Sequence, residues 1–169
     1  MGREKNKIQR KSINFIVLFF ISMHVSSDYV LESIKNHKEK YEEVAMEIWD
    51  YAELGYQENK SAGLLAKSLE DEGFSIRKNL AGIPTAFIAE FKNDGPIIGI
   101  LGEFDALPGL AQSNSPFKEV IENETGGGHA CGHHLFGAAS AWAAVTIKDW
   151  LVKNNIKGTI RFYGTPAEE

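Results

Sequence analysis

With 169 residues, 43% of them hydrophobic and 24% charged, the chain is long enough for one globular domain with a real hydrophobic core. Its net charge of −5 is unevenly spread, −9 from Asp28 onward, and an acidic body argues against a nucleic-acid groove, which needs clustered Lys and Arg. A single cysteine excludes an internal disulfide and leaves the redox compartment open.

The first twelve residues carry Arg3, Lys5, Lys7, Arg10 and Lys11 against Glu4. An uncharged apolar run, INFIVLFFISMHV, and then SSD come next, with Val25 and Ser27 suiting a cleavage site. Basic, apolar, then small is the layout of an export signal. The run is shorter than the roughly 20 residues of a membrane-spanning helix, so no stable membrane anchor is expected. Residues 1–27 are therefore set apart as a signal peptide, and the product is expected to be secreted or periplasmic. A buried leading helix in a cytoplasmic protein is the alternative.

From Asp28 the pattern is helical. Tyr41, Val44, Ala45, Ile48, Trp49 and Ala52 recur at three- and four-residue steps, with Gly55 as the stop. Asn59 is the expected cap of a second helix with Ala62, Leu65 and Leu69 inward, ending at Gly73. Then the period changes. TAFIAEF and PIIGILG read as strands, and the NDG between them (Asn93–Gly95) as a hairpin turn. Pro96 to Gly102 is apolar enough for a strand covered on both faces. Pro108 to Gly128 reads as a long loop. Leu135 to Val152 reads as a helix whose alanines and Gly137 let it lie close on a sheet, and GTIRFYG from Gly158 is a further strand. Strands, loop, helix, strand is an α/β layout.

Three polar clusters fall at strand or helix ends: GEFDALPG, GGGHACGHH and YGTPAEE. In open α/β sheets chemistry gathers beyond the carboxyl ends of strands. Cys131 and His133 offer a thiolate and an imidazole, common ligands of zinc-like ions, and the surrounding glycines allow the backbone angles that aim adjacent side chains at one point. Metal and the helix N-terminus would both favour a deprotonated sulfur. Two adjacent glutamates beside a metal can divide labour, one binding the ion and one taking a proton from water. Asp105 can support a ligating histidine, and two-residue alternation puts Glu103 on its side of the strand. Each cluster also has an inert reading, a buried cysteine among surface histidines or a solvated glutamate pair. A nucleophilic Cys131 paired with His129 or His133 leaves the glutamates without a task.

In their order and spacing, these motifs resemble the peptidase M20 family of metal-dependent amidohydrolases, closest to the aminoacylase-like branch that holds aminobenzoyl-glutamate hydrolases, amino-acid-conjugate hydrolases and Xaa-Arg dipeptidase-like proteins. ELGYQE at Glu53–Glu58 adds to the similarity, which runs over roughly residues 35–169. The resemblance implies metal ligation by Cys131, His133 and Glu169, Glu168 as general base and Asp105 as supporting carboxylate. It also implies two divalent ions, zinc or manganese, and a small-molecule amide or dipeptide substrate in which an acyl or aminoacyl group is joined to an amino acid. A homodimer is the implied assembly. His129 matches a motif position and receives no role.

His134 stands where many members of the family have Asp or Asn, a change that bears on the supporting hydrogen bonds. Tyr51–Glu53 replaces a frequent His-Pro-Glu. Family members also continue past the glutamate pair with further ligands and a lid domain. Residues 28–169 are accordingly expected to be the N-terminal portion of an M20-type catalytic domain, a sheet flanked by helices without its lid and inactive by itself. A non-catalytic metal- or partner-binding remnant of the same fold is the alternative.

Overall fold

A computed structural model describes residues 28–169, so the export-signal reading of residues 1–27 lies outside the described residues. The chain divides into two units, Met1–Asn36 and His37–Glu169. The described part of the first, residues 28–36, is helical. The sheet and every site residue lie in the second. Among the described residues no helix is long and apolar enough to cross a membrane.

Helix α1 occupies residues 28–51, and Tyr41, Val44, Ala45 and Ile48 on its apolar stripe are buried. It ends at Ala52, which takes a left-handed φ of 40°, ahead of the Gly55 expected to stop it. ELGYQE is therefore the loop that joins α1 to α2 (Asn59–Glu70). Asn59 is the first helical residue of α2 and not its cap. The capping acceptor is the Glu53 carboxylate, which takes the backbone N–H of Lys60 at 3.0 Å and of Ser61 at 2.9 Å, satisfying donors that a helix start leaves orphaned.

The strands β1 (Ser75–Lys78), β2 (Phe87–Phe91), β3 (Ile97–Gly102) and β6 (Thr159–Gly164) form one sheet in the order β1-β2-β6-β3. Neighbours β1/β2 and β2/β6 run antiparallel, and β3/β6 run parallel. The turn expected at Asn93–Gly95 exists, with Asp94 and Gly95 both at positive φ, but it does not close a hairpin. Strand β6 enters between β2 and β3. The Asn93 carbonyl accepts the Gly158 N–H at 3.1 Å, and the Thr159 hydroxyl donates to the Asp94 carbonyl at 3.3 Å, so the turn's polar groups serve the incoming strand. Strand β1, too short and charged (SIRK) to show a pattern, was not expected from the sequence.

Among the described residues β3 is the edge strand opposite β1: Ile97 is 56% and Leu101 54% exposed, so these residues do not supply the cover expected on both faces of its apolar run. Ile160 and Phe162 on central β6 are fully buried. They join Phe87 and Ala89 of β2 in one core with α1, with Leu65 and Leu69 of α2, and with Ala138, Ala141 and Val145 of α3 (His133–Lys153). On the other face the Arg161 Nε donates to the Glu90 carboxylate at 2.7 Å. The stretch between β3 and α3 is mostly irregular, as expected, apart from two short paired strands, β4 (Leu107–Pro108) and β5 (Gly127–Gly128).

Candidate metal centre

Two parallel neighbours end together. Gly102 of β3 pairs with Gly164 of β6, so the two chain segments leaving these strands emerge side by side. After β3 come Glu103 and Asp105; after β6 come Glu168 and Glu169. Thr165 ties the second exit to the first, its N–H donating to the Gly102 carbonyl at 3.0 Å. The β4–β5 pairing, Leu107 with Gly128 and Pro108 with Gly127, lays the glycine-rich stretch beside the segment that carries Asp105. Gly132 then adopts a φ of 88°, a conformation ordinary side chains resist, and turns the chain from Cys131 straight into α3 with His133 as its first residue.

Those turns converge on one imidazole. His133 Nδ1 lies 3.0 Å from the Asp105 carboxylate and 3.2 Å from the Asp105 carbonyl, so Nδ1 carries the proton and donates. Nε2 then faces three carboxylates, Glu103 at 2.9 Å, Glu168 at 3.7 Å and Glu169 at 4.0 Å. Asp105 is fully buried, and its other oxygen accepts the Glu169 N–H at 3.0 Å. Four carboxylates around one imidazole leave negative charge that a single ring cannot balance. Within this cluster, ligand atoms of Cys131, His133 and Glu169, and separately of Glu103, His133 and Glu168, all lie within 4.8 Å of one another. A soft thiol, an imidazole and carboxylates suit a divalent ion of the zinc type.

The ionisation of this cluster reflects its crowding. Partial desolvation raises the Glu103 carboxyl above the usual range, the charge of His133 pulls it down, and Glu168, Asp105 and Glu169 push it up again. Desolvation also raises the Cys131 thiol and Glu169 adds to it, while the His133 backbone N–H acts in the opposite sense. The amide at the helix start thus favours the thiolate, as expected, against desolvation and the neighbouring carboxylate. A cation is what would reverse the balance.

The five residues singled out from sequence, Asp105, Cys131, His133, Glu168 and Glu169, are thus brought together. His129 and His134 are not. His134 sits edge-on to Trp49 at 4.9 Å between ring centroids, and His129 is 5.1 Å from His134. The His129 Nε2–H donates to the Ile48 carbonyl at 3.0 Å. Burial, with His134 adding to it, pushes the His129 pKa down to about 4. These two rings form packing behind the cluster. Glu103 received no role from the sequence, although strand alternation had set it beside Asp105. Glu53 and Glu58 were visible only as motif letters.

No family model matches the chain. One of the subunits of the p-aminobenzoyl-glutamate hydrolase of Escherichia coli is 40% identical over 141 residues, 83% of this chain and 29% of that protein. The N-acetylcysteine deacetylase of Bacillus subtilis is 34% identical over 125 residues, 73% of this chain and 31% of that protein. Among solved structures, a Bacillus subtilis protein described as a dinuclear metal binding peptidase from the M20 family superposes with a TM-score of 0.60 at 31% identity. That match covers 79% of this chain and 36% of the other. Fold and relatives together define part of an α/β domain like that of the dinuclear metal-binding neighbour, and the chain spans about a third of the length of the curated relatives it matches. It belongs to the peptidase M20 family.

Proposed function

We propose that the protein to which this chain belongs hydrolyses an amide bond between an acyl or aminoacyl group and an amino acid, using divalent metal held at His133. The observation that carries the reading is the convergence of four carboxylates and a cysteine on that single imidazole. The names of the relatives, an aminobenzoyl-glutamate hydrolase and an N-acyl amino acid deacetylase, support the substrate class. The dinuclear metal-binding neighbour supports two metal ions, which we take to be zinc or manganese.

Cys131, His133 and Glu169 would hold one ion. His133 has a single nitrogen to offer, so Glu103, His133 and Glu168 form an alternative set and not a simultaneous one. The first set is preferred because it leaves Glu168 unbound. A cation so placed supplies Lewis acidity toward the amide carbonyl and lowers the pKa of water. Asp105 keeps the Nδ1 proton in place and so presents the Nε2 lone pair to the ion. Glu168, its side chain 56% exposed at the mouth of the cluster, accepts the proton of the attacking water and returns it to the leaving amine.

The whole protein to which this chain belongs, once purified, should bind zinc or manganese and release amino acid from aminobenzoyl-glutamate or N-acyl amino acids. Glu168→Gln should retain metal while turnover falls by about 10² or more. Metal binding without hydrolysis of any such amide would favour a non-catalytic metal-binding domain, and absence of metal binding would refute both.

A further inference from the structure

We infer that Glu58 is a positioning residue for the Glu168–Glu169 pair, acting through the backbone of Ala167; the inference rests on the function proposed above. Glu58 is fully buried, and its Oε1 accepts the Ala167 N–H at 2.8 Å across 109 residues of sequence. Its Oε2 is buried without a hydrogen-bond partner among the described residues. A carboxylate removed from water for a single hydrogen bond is an expensive way to fill space, even at the start of α2, where the helix dipole favours negative charge.

What the bond holds explains its placement. Ala167 has a φ of 56°, the left-handed region that a residue with a Cβ enters only when its surroundings impose it. It is the residue just before the pair. Two residues on, the Glu169 N–H is held by Asp105 at 3.0 Å. Two buried carboxylates thus grip the backbone on either side of Glu168, and between them they set where both glutamate side chains point. The loop carrying Glu58 packs tightly here as well: a Cβ at Gly55 would come within 3.1 Å of the Ala167 Cβ. Without the Glu58 acceptor, Ala167 would relax to negative φ and turn the glutamates away from His133.

Reach and charge separate in two conservative variants. Glu58→Gln keeps the acceptor at the same reach and loses the charge; Glu58→Asp keeps the charge and draws the acceptor back by one methylene. Positioning predicts that Glu58→Gln stays within about twofold of wild type. Glu58→Asp should lose about tenfold in zinc affinity, the scale on which supporting groups of a metal site act, and fall in kcat with KM little changed. Adding Ala167→Gly to Glu58→Asp should restore most of both, because glycine takes the left-handed conformation unaided. Hydrogen exchange of the Ala167 amide in the unmodified protein tests the bond without any substitution, and protection is expected. An unprotected amide, equal effects of Gln and Asp, a change in melting temperature alone, or no rescue by Ala167→Gly would each overturn the inference. If the wild-type protein neither binds zinc nor hydrolyses amides, the proposed function fails, while protection of the Ala167 amide and its loss in Glu58→Asp still decide the contact.

Discussion

Gly137 offers a quantitative test of how tightly the helix is seated on the site. It lies one turn after His133 on the inward side of α3, and a Cβ there would come within 2.5 Å of the Glu103 carbonyl oxygen. Carbon and oxygen in contact sit at about 3.3 Å or more, so Gly137→Ala requires the first turn of α3 to retreat by roughly 0.8 Å. Overpacking of this kind costs about 1–3 kcal/mol, partly offset by the roughly 0.5–1 kcal/mol that alanine contributes over glycine inside a helix. A net loss of about 1–2 kcal/mol corresponds to a melting temperature lower by about 3–6 °C. The same retreat stretches the 3.0 Å bond between His133 and Asp105 beyond hydrogen-bonding range, which should lower zinc affinity by about 10–100-fold. Gly63 in α2 is the matched control, since a Cβ there meets nothing within 4 Å, and Gly63→Ala should stabilise by about 0.5–1 kcal/mol. Thermal melts and zinc titrations of both variants decide the matter. If Gly137→Ala stabilises as Gly63→Ala does, or binds zinc as wild type does, the close seating of α3 on the strand exit is wrong.

The two terminal glutamates should fail differently: Glu169→Gln lowers metal occupancy itself, whereas Glu168→Gln spares it, and equal losses of bound metal in the two would refute the division of roles. Cys131→Ala should strip most of the metal, and Cys131→Asp should retain a part because a carboxylate can still ligate; metal analysis of the purified variants checks this. Burial raises the pKa of Tyr41 well above the ordinary value, so the phenol stays neutral in the fold while the unfolded chain ionises near pH 10. The stability owed to the neutral phenol is therefore complete below about pH 10 and lost as pH rises beyond it. Urea melts between about pH 8 and 11 should show the loss, and Tyr41→Phe should flatten it.

The clusters and the helices could be read from the sequence because their signals are local. Tyr41, Val44 and Ile48 share a stripe that only a helix makes, and Cys131 and His133 announce themselves by type. The order of strands could not be read in the same way. NDG at residues 93–95 is a sound turn signal, but nothing within the turn says that a strand more than sixty residues later will enter beside it. The same long-range choice left β3 at the edge among the described residues, where its apolar run is half exposed. Glu53 and Glu58 were opaque for a related reason. One caps α2 and the other holds Ala167, and a glutamate in a loop carries no mark of the backbone amide it will meet.

The pairing of β3 with β6 also sets when the cluster can come into being. Glu103 and Glu168 come together only after a loop of some sixty residues has closed, and such closure is entropically slow compared with forming α2 or pairing β1 with β2. Contacts made that late are absent from an early transition state and act on escape from the native state. A cation held at His133 should therefore leave the rate of folding almost unchanged and slow the rate of unfolding, lengthening the lifetime of the folded protein more than it hastens its arrival.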